Sequence, residues 1–358
     1  MPPAQHILSF ARTLDGGGVE RALLRLARGW VAAGRRVTLV LGDAAGPLAA
    51  ELSPGIETIV IGDRRQTALI RALPGVVRAV RPDIVFCPGN HYTSAAAWLR
   101  LRDRSGPPIV GKMSNAASRG DHGRVTHVAH QAWLALHGRF LDHLVAMTPA
   151  TAAEATRATR MTGRVSVIPN PPALPGHGEP TPLPRGPVIL GVGRLVPQKR
   201  WDRLIAALPR IADRSVTLVI LGEGHLREAL VAQAADLGIG PRVRLPGHAA
   251  DPLGAMAAAD VVVLPSDYEG VPGVLREALS VGTPVVATDS SPSVAEIVAG
   301  PALGSVVARD DADALVAAIN RWLAPDAVRP APVPPPGSDA AARYLDLFDD
   351  LTRPRSVV

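Results

Sequence analysis

Residues 260–289 read DVVVLPSDYEGVPGVLREALSVGTPVVATD, and this stretch decides the fold of the region around it. The unbroken apolar run VVVL and the later run PVVA have the composition of buried strands. Between them, GVLREALSVG has apolar residues at helical spacing. Strand, helix and strand in this order predict a βαβ unit of a parallel sheet that is covered on both faces.

The same alternation extends outward through the rest of the chain. PVILGVG and VTLVILGEG are predicted strands of the second half, and the first half begins with the predicted strand HILSFA. The predicted helix ALIRALPGVVRAVRP should be interrupted near Pro74. Residues 171–187, PPALPGHGEPTPLPRGP, form a bridge rich in proline and glycine. We therefore predict an α/β protein with two doubly wound domains.

Composition limits the class of protein. The 358 residues are 47% hydrophobic and 20% charged, which suits about two globular domains. The net charge of +6 is not gathered into a basic arm, so nucleic acid is not an expected partner. A single cysteine excludes a disulfide framework and a cysteine zinc site. The first residues lack the charged start and apolar core of a signal peptide, so we expect a cytoplasmic location.

Open parallel sheets bind ligands beyond the carboxyl ends of their strands, so the informative residues should follow strands. The glycines at residues 16–18 follow the first strand and open a helix, which suits an anion; an ordinary strand-to-helix turn explains them equally well. The segment GVGRLVPQKR brings Arg194 and Lys199 to a strand end. The forked hydrogen-bond donor of arginine and the compact charge of lysine together suit a diphosphate. The alternative explanation is that both are solvated cations of a surface loop.

Two glutamates separated by seven residues complete the candidate site. Glu269 should lie in the loop after VVVL, where it can meet a sugar hydroxyl. Glu277 should lie in an early turn of the next helix, where its carboxylate can accept two hydrogen bonds from a ribose diol. The spacing alone would equally suit a turn residue and a surface helix residue.

Together, the GGGVE loop, IPNP at residues 168–171, GRLVPQKRWDRLI, LGEGHLREAL and the E-x7-E segment resemble the retaining glycosyltransferases of family 4 over nearly the whole chain. The resemblance implies the GT-B fold, with two Rossmann-like domains facing a central cleft. Residues 1–180 would form the acceptor-binding domain, with a C-terminal helix at 338–358 packing back on it. Residues 187–330 would bind the donor.

The resemblance also implies roles for residues. Arg194, Lys199 and Glu269 would be catalytic. The implied donor-binding set is Gly17, Gly18, Arg194, Lys199, Glu269, Gly270, Val271, Pro272 and Glu277. Many relatives have a histidine after the fifth strand, where this chain has Ser114. His91 and Asn115 are therefore further candidates, with Ser114, for contacts to the acceptor or the anomeric centre.

The expected reaction is metal-independent transfer, without a cofactor, from a UDP-sugar to a cell-envelope glycan, a lipid-linked sugar or a small molecule. A sugar-nucleotide epimerase and a nonreacting nucleotide-sugar binding protein are the alternatives. Asp311 and Asp313 precede a predicted helix, so helix capping explains them better than a metal does. His122, His127, His130 and His137 lack the spacing of a zinc site.

Residues 117–141 form a candidate amphipathic patch. Peripheral association with the inner face of a membrane would suit a lipid-linked acceptor. Ordinary core packing is the alternative explanation of the same apolar residues.

Overall fold

The computed structural model describes residues 3–15, 17–115, 124–173, 181–249 and 251–353. The chain divides into two compact units. The first comprises Met1–Pro171 and Pro336–Val358, and the second comprises Pro172–Pro335. The bounds expected from the sequence were 1–180 with 338–358 for the first domain and 187–330 for the second.

The first unit is built on a parallel sheet of seven strands in the order β3-β2-β1-β4-β5-β6-β7. The strands are β1 (His6–Ala11), β2 (Arg36–Leu41), β3 (Ile56–Val60), β4 (Ile84–Cys87), β5 (Ile109–Lys112), β6 (His143–Ala146) and β7 (Val165–Val167). Between them run α1 (Gly18–Ala32), α2 (Gln66–Val80), α3 (Thr93–Arg102), α4 (Arg124–Ala135) and α5 (Pro149–Thr159).

The second unit has a parallel sheet of six strands in the order β10-β9-β8-β11-β12-β13. Its strands are β8 (Val188–Val192), β9 (Thr217–Leu221), β10 (Val243–Gly247), β11 (Val261–Leu264), β12 (Val285–Thr288) and β13 (Gly304–Val307). Its helices are α6 (Trp201–Ala207), α7 (Arg227–Asp236), α8 (Pro252–Ala258), α9 (Gly273–Ser280), α10 (Pro292–Ile297) and α11 (Ala312–Leu323). The four residues of β11 are completely buried, as their apolar run predicts.

The strand orders explain where a site can form. In each sheet the order reverses beside the first strand of the unit, between β1 and β4 and between β8 and β11. At each reversal, the chain leaves the two neighbouring strands toward opposite faces of the sheet. This opens a crevice at the carboxyl ends of those strands. The two doubly wound sheets confirm the predicted fold class.

The last helix, α12 (Ala340–Thr352), completes the first unit by packing on α1. The rings of Tyr344 and Phe348 lie edge-on to Trp30, with ring centroids 6.0 and 5.4 Å away. Gly29 permits this contact because a Cβ there would meet Ala341 Cβ at 2.5 Å. A largely buried ion pair, Arg35 to Asp349 at 2.9 Å, joins α12 to the turn between α1 and β2.

Sequence reasoning on the local elements was wrong about α2 and left several elements unpredicted. Helix α2 is not interrupted, because it continues through Pro74, whose ring is buried beside Leu73 and Val77. Burial of that face compensates for the hydrogen bond that a proline cannot donate. Helices α3, α5 and α10 and strand β13 were not predicted. Strand β13 begins with Gly304 and lies at the edge of its sheet.

Candidate functional site

The loops after β8 and β11 meet at the switch point of the second sheet and bring Lys199 and Glu269 together. Lys199 Nζ lies 2.6 Å from Glu269 Oε1, and the side chains are only 15% and 9% exposed. Ser266 Oγ donates a second hydrogen bond to the same oxygen at 2.7 Å. Glu269 N donates to the carbonyl of Ser290, which fixes the backbone of the glutamate. The sequence predicted both residues for the site but not their pairing.

A cluster of arginine and aspartate side chains, which we call the loop clamp, joins these two loops. The clamp consists of Arg200, Arg203, Asp202 and Asp267. The Arg200 guanidinium contacts both Asp202 and Asp267, at 3.0 and 3.1 Å. Arg203 donates to Asp267 at 3.0 Å and to the carbonyl of Pro265 at 2.8 Å. The hydrogen bonds to Asp202 and then Asp267 raise the pKa of Arg200 despite partial burial.

Arg200 reaches the clamp from a left-handed backbone conformation, with φ 50° and ψ 43°. This conformation is unfavourable for a residue that carries a Cβ, at about 1–2 kcal/mol. The conformation turns the chain between the 3-10 turn that carries Lys199 and helix α6. Backbone strain at this point indicates that the geometry of the Lys199 loop is constrained by its surroundings.

Arg194 lies earlier in the same loop, and its side chain is exposed. Its carbonyl accepts a hydrogen bond from the Trp201 indole at 2.9 Å. The loop lies directly on the end of β9, because a Cβ on Gly222 would collide with the carbonyl of Gly193. The glycines therefore allow two strand ends to approach closely, and the arginine extends from this tight junction.

The segment from Gly270 to Glu277 forms the start of α9. The carbonyl of Gly270 accepts hydrogen bonds from Ser291 and Ser293, at 2.9 and 2.7 Å. Pro272 is buried and precedes the first helical residue, while Val271 is half-buried. Glu277 is half-exposed, and its Oε1 lies 4.0 Å from the position of a Cβ on Gly273. Its carboxylate therefore points back toward the first turn of the helix.

At the switch point of the first sheet, Gly17 and Gly18 form the start of α1. A Cβ on Gly17 would lie 2.5 Å from Glu20 Oε2, so a side chain at residue 17 would displace this carboxylate. Around Gly18 the space is open. The first glycine of the sequence motif, Gly16, lies outside the described residues.

Ser114 and Asn115 are both bound to Asn90. Asn90 Oδ1 accepts from Ser114 N, Ser114 Oγ and Asn115 N, at 2.6, 3.2 and 3.2 Å. Asn90 N donates to Ser114 Oγ at 3.2 Å. The loops that follow β4 and β5 are thus joined by neutral hydrogen bonds. His91, the next residue after Asn90, is half-exposed.

A buried lysine on the first sheet was not predicted as part of any site. Lys112 ends β5, is 1% exposed, and donates from Nζ to Asn170 Oδ1 at 2.9 Å. Burial lowers the pKa of Lys112 to about 8. Asn170 belongs to the IPNP segment, and a Cβ on Gly337 would collide with its carbonyl. Lys112 therefore fixes the segment by which the chain leaves the first unit.

The acidic and histidine clusters have ordinary structural roles. Asp311 caps α11 by accepting from Ala314 N at 2.8 Å, and Asp313 pairs with Arg210. His137 packs edge-on against the rings of Trp133 and Phe140, and burial lowers its pKa to about 4. His122 lies outside the described residues. Within the described ranges, no group of three histidine, cysteine or acidic side chains is arranged to hold a metal.

Two family models match the chain. The model described as Glycosyltransferase Family 4 matches residues 16–171, and the model described as Glycosyl transferases group 1 matches residues 186–325. Both candidate regions described above fall within the matched residues.

Curated relatives match over shorter segments. The chain is 40% identical over 104 residues to the lipopolysaccharide core biosynthesis glycosyltransferase LpsE of Rhizobium meliloti, which is 29% of this chain and 30% of the relative. It is 36% identical over 174 residues to the GDP-mannose-dependent alpha-(1-6)-phosphatidylinositol monomannoside mannosyltransferase of Mycolicibacterium smegmatis, 44% of each chain. The matched segments therefore span less than half the length of these relatives.

Solved structures match the fold over nearly the whole chain. HepE of Anabaena, in complex with UDP-glucose, has a TM-score of 0.75 at 21% identity, covering 97% of this chain and 98% of HepE. The lipopolysaccharide outer core galactosyltransferase WaaB, in its apo form, has a TM-score of 0.64 at 19% identity, covering 97% and 96%.

Proposed function

Since the chain belongs to glycosyltransferase family 4 and has the GT-B fold, we propose that it is a retaining glycosyltransferase. The proposed donor is a UDP-sugar, and the acceptor is a cell-envelope glycan, a lipid-linked sugar or a small molecule. The observation that carries this proposal is the ion pair of Lys199 and Glu269 at the switch point of the second sheet. No observation favours the epimerase or the nonreacting binding protein.

The proposed chemistry uses fixed charge. The bond between the anomeric carbon and the phosphate oxygen breaks, and its electron pair stays on the departing diphosphate. An acceptor oxygen forms the new bond on the same face, and its proton passes to the departing phosphate. Arg194 and Lys199 would stabilise the growing negative charge, which is greater in the transition state than in the bound substrate.

The pairing of Lys199 with Glu269 sharpens these roles. Before the donor binds, each charge neutralises the other at a distance of 2.6 Å. Ser266 also holds the carboxylate of Glu269, so little reorganisation of the pair is needed when a diphosphate contacts the ammonium and a sugar hydroxyl donates to the carboxylate. Glu269 would thus orient Lys199 as well as bind the sugar. Because its carboxylate is engaged by Lys199 and Ser266, we do not assign it as a nucleophile.

We assign the rest of the donor to the start of α9. Glu277 would accept hydrogen bonds from the ribose diol. Gly270, Val271 and Pro272 would line the sugar and phosphate, where the helix N-terminus favours negative charge. On the first unit, Gly17 and Gly18 would contact phosphate or sugar, because glycine lets a ligand approach the backbone.

The choice of donor base can be tested by thermal unfolding with UDP-glucose, GDP-mannose and ADP-glucose. HepE was solved with UDP-glucose, whereas the Mycolicibacterium smegmatis relative is GDP-mannose-dependent. We expect the UDP-sugar to raise the Tm most, since a ligand at a hundred times its Kd adds about 2.7 kcal/mol. A larger shift with GDP-mannose would contradict the UDP assignment, and no shift with any of the three would contradict the donor proposal.

The ribose contact can be tested with Glu277→Ala. We expect donor affinity to fall by about 1–3 kcal/mol, because a charged hydrogen bond is lost. Glu228→Ala is the matched control, since Glu228 is an exposed glutamate in the first turn of α7 in the same unit. Equal donor affinity in the two variants would remove Glu277 from the site.

We also propose peripheral association with an anionic lipid surface through the exposed side of α4. Val125 and Val128 are 85% and 67% exposed and are one turn apart, and Leu101 of α3 is 64% exposed. Exposed arginines in the same unit, Arg102 and Arg104, suit anionic headgroups. No helix in the described part of the chain has the length and apolar character to cross a bilayer.

Vesicle sedimentation tests this proposal. Phosphatidylglycerol vesicles should bind the protein more strongly than phosphatidylcholine vesicles, and Val125→Asp with Val128→Asp should abolish the difference. If the double variant still binds phosphatidylglycerol vesicles as strongly as the wild type does, the assignment is contradicted.

A further inference from the structure

We propose that His91, held by Glu20, binds a hydroxyl group of the acceptor sugar on the first unit. The inference rests on the proposed function, because it assigns a residue to the acceptor. It chooses among the three candidates that the sequence left open, His91, Ser114 and Asn115.

The hydroxyl group of Ser114 is already engaged within the protein. Ser114 Oγ accepts from Asn90 N and donates to Asn90 Oδ1, both at 3.2 Å. A Cβ on Gly89 would lie 2.8 Å from the same oxygen, so the hydroxyl is also closely packed. The backbone of Asn115 is tied to Asn90 in the same way. These contacts make Ser114 a residue that joins two loops.

The backbone of His91 is fixed by its surroundings. It lies in a 3-10 turn, Asn90–Tyr92, directly after β4. Gln66 Nε2 donates to the His91 carbonyl at 2.6 Å. The next residue, Tyr92, is 2% exposed. The turn is therefore held on both sides of the histidine.

The imidazole ring is oriented by a carboxylate. His91 Nε2 lies 3.4 Å from Glu20 Oε1, and the ring packs against Tyr92 with centroids 4.0 Å apart. The Tyr92 hydroxyl donates to the same Glu20 oxygen at 3.0 Å and accepts from Arg12 N at 2.9 Å. Burial would raise the pKa of Glu20, but hydrogen bonds from His91, its own backbone and Tyr92 lower it. Glu20 is thus an ionised, largely buried acceptor.

This arrangement leaves one ring nitrogen for a ligand. When Nε2, which lies 3.4 Å from the Glu20 carboxylate, carries the proton, Nδ1 of the neutral imidazole is a hydrogen-bond acceptor. The His91 side chain is 46% exposed, whereas the Glu20 side chain is 14% exposed. A sugar hydroxyl can donate to such a nitrogen. Glu20 is the positioning residue, because it fixes the ring without contacting the ligand.

The same carboxylate connects His91 to the glycine loop. While Glu20 Oε1 faces His91 and Tyr92, Oε2 lies where a Gly17 side chain would be. His91 and the N-terminus of α1 are thus neighbours at the switch point of the first sheet. The imidazole is therefore placed where an open α/β sheet binds ligands.

Proton–carbon NMR of protein with labelled histidine tests this site. The chain has 10 histidines, and the His91 signals are those absent from the spectrum of His91→Gln. The probes are methyl α-D-glucopyranoside, galactopyranoside and mannopyranoside, each added with UDP present. We expect at least one glycoside to shift the His91 signals saturably, and UDP alone to leave them in place. Signals that none of the glycosides moves, or that UDP alone moves equally, would overturn the proposal.

Variants separate positioning from folding. Glu20→Gln should weaken glycoside binding about tenfold, the loss of roughly one hydrogen bond, while the Tm shift produced by UDP stays unchanged. His91→Asn, which keeps an acceptor atom near Nδ1, should bind more tightly than His91→Ala; equal binding by these two would contradict the proposal. His143→Gln is the control, since His143 begins β6 and bonds Ser166. If UDP does not raise the Tm of the wild-type protein, the donor proposal is refuted instead.

Discussion

The two switch points of this molecule are built from different interactions. In the second unit, Lys199, Glu269 and the loop clamp form a network of charged pairs. In the first unit, Asn90, Ser114 and Asn115 form a network of neutral hydrogen bonds, beside a half-exposed histidine. A diphosphate leaving group has the same charge in every donor, so it calls for fixed cations. An acceptor differs between enzymes, and neutral polar groups can be exchanged at lower electrostatic cost.

The strongest way to break this contrast is to remove a charge from the second unit. Lys199→Ala should lower kcat by about a hundredfold, as the loss of one fixed group facing a developing anion typically does. It should also lower the free energy of unfolding by about 3 kcal/mol, because Glu269 is left buried and unpaired. Steady-state kinetics and urea unfolding measure the two effects.

A double variant separates these two effects. Lys199→Ala with Glu269→Ala should recover most of the stability and none of the activity. Recovered turnover in the double variant would show that Lys199 serves only to neutralise Glu269.

Arg200→Gly tests whether the loop clamp matters for the reaction. The change removes the strain of the left-handed backbone but also the contacts to Asp202 and Asp267. We expect the free energy of unfolding to change by less than about 1 kcal/mol, since the two effects oppose each other. In contrast, kcat should fall about tenfold because the Lys199 loop is no longer fixed.

The chain contains a matched control for Arg200. Arg160 ends α5 with φ 58° and has an exposed side chain. Arg160→Gly should gain stability and leave kcat unchanged. If both variants gain stability with full activity, the clamp has no part in catalysis.

The buried Lys112 of the first unit should make the stability of the protein depend on pH. Its pKa is about 8 in the folded protein, against an ordinary value of 10.5 for a solvated lysine, so the unfolded chain binds more protons between these values. Burying the charged ammonium of Lys112 lowers the free energy of unfolding. This penalty is fully present below pH 8 and is relieved as the pH rises toward 10.5. Relative to Lys112→Met, the wild type should therefore gain up to about 3 kcal/mol over this range. Urea unfolding of both proteins at about pH 7 and about pH 9.5, on either side of the folded-state pKa, measures the change, and a constant difference would contradict it.

Ser114→Ala should have the smallest effect. The variant loses two long hydrogen bonds to Asn90, so we expect a loss of about 1 kcal/mol in stability and a change in kcat of less than about threefold. Thermal unfolding and kinetics measure these changes. A tenfold loss of kcat without a change in Tm would place Ser114 in contact with the substrate. Ser114 would then be to the first unit what Lys199 is to the second, a side chain that takes part in the reaction.

The sequence predicted the second unit better than the first. In the second unit, Lys199 and Glu269 lie in short motifs that the family resemblance covers, and the structure brings the two side chains together. In the first unit, Glu20, Asn90 and Lys112 acquire partners only when distant strands align. The contacts of Glu20 to Tyr92 and of Lys112 to Asn170 span 72 and 58 residues, and no local spacing encodes them.

The return of α12 to the first unit has a consequence for synthesis on the ribosome. Trp30 and Phe86 are translated before the second unit, but Tyr344 and Phe348, which cover them, are translated after it. The second unit is complete by Pro335, so its core can close while the first still lacks a helix. A chain stalled before Ala340 would present those aromatic rings to chaperones.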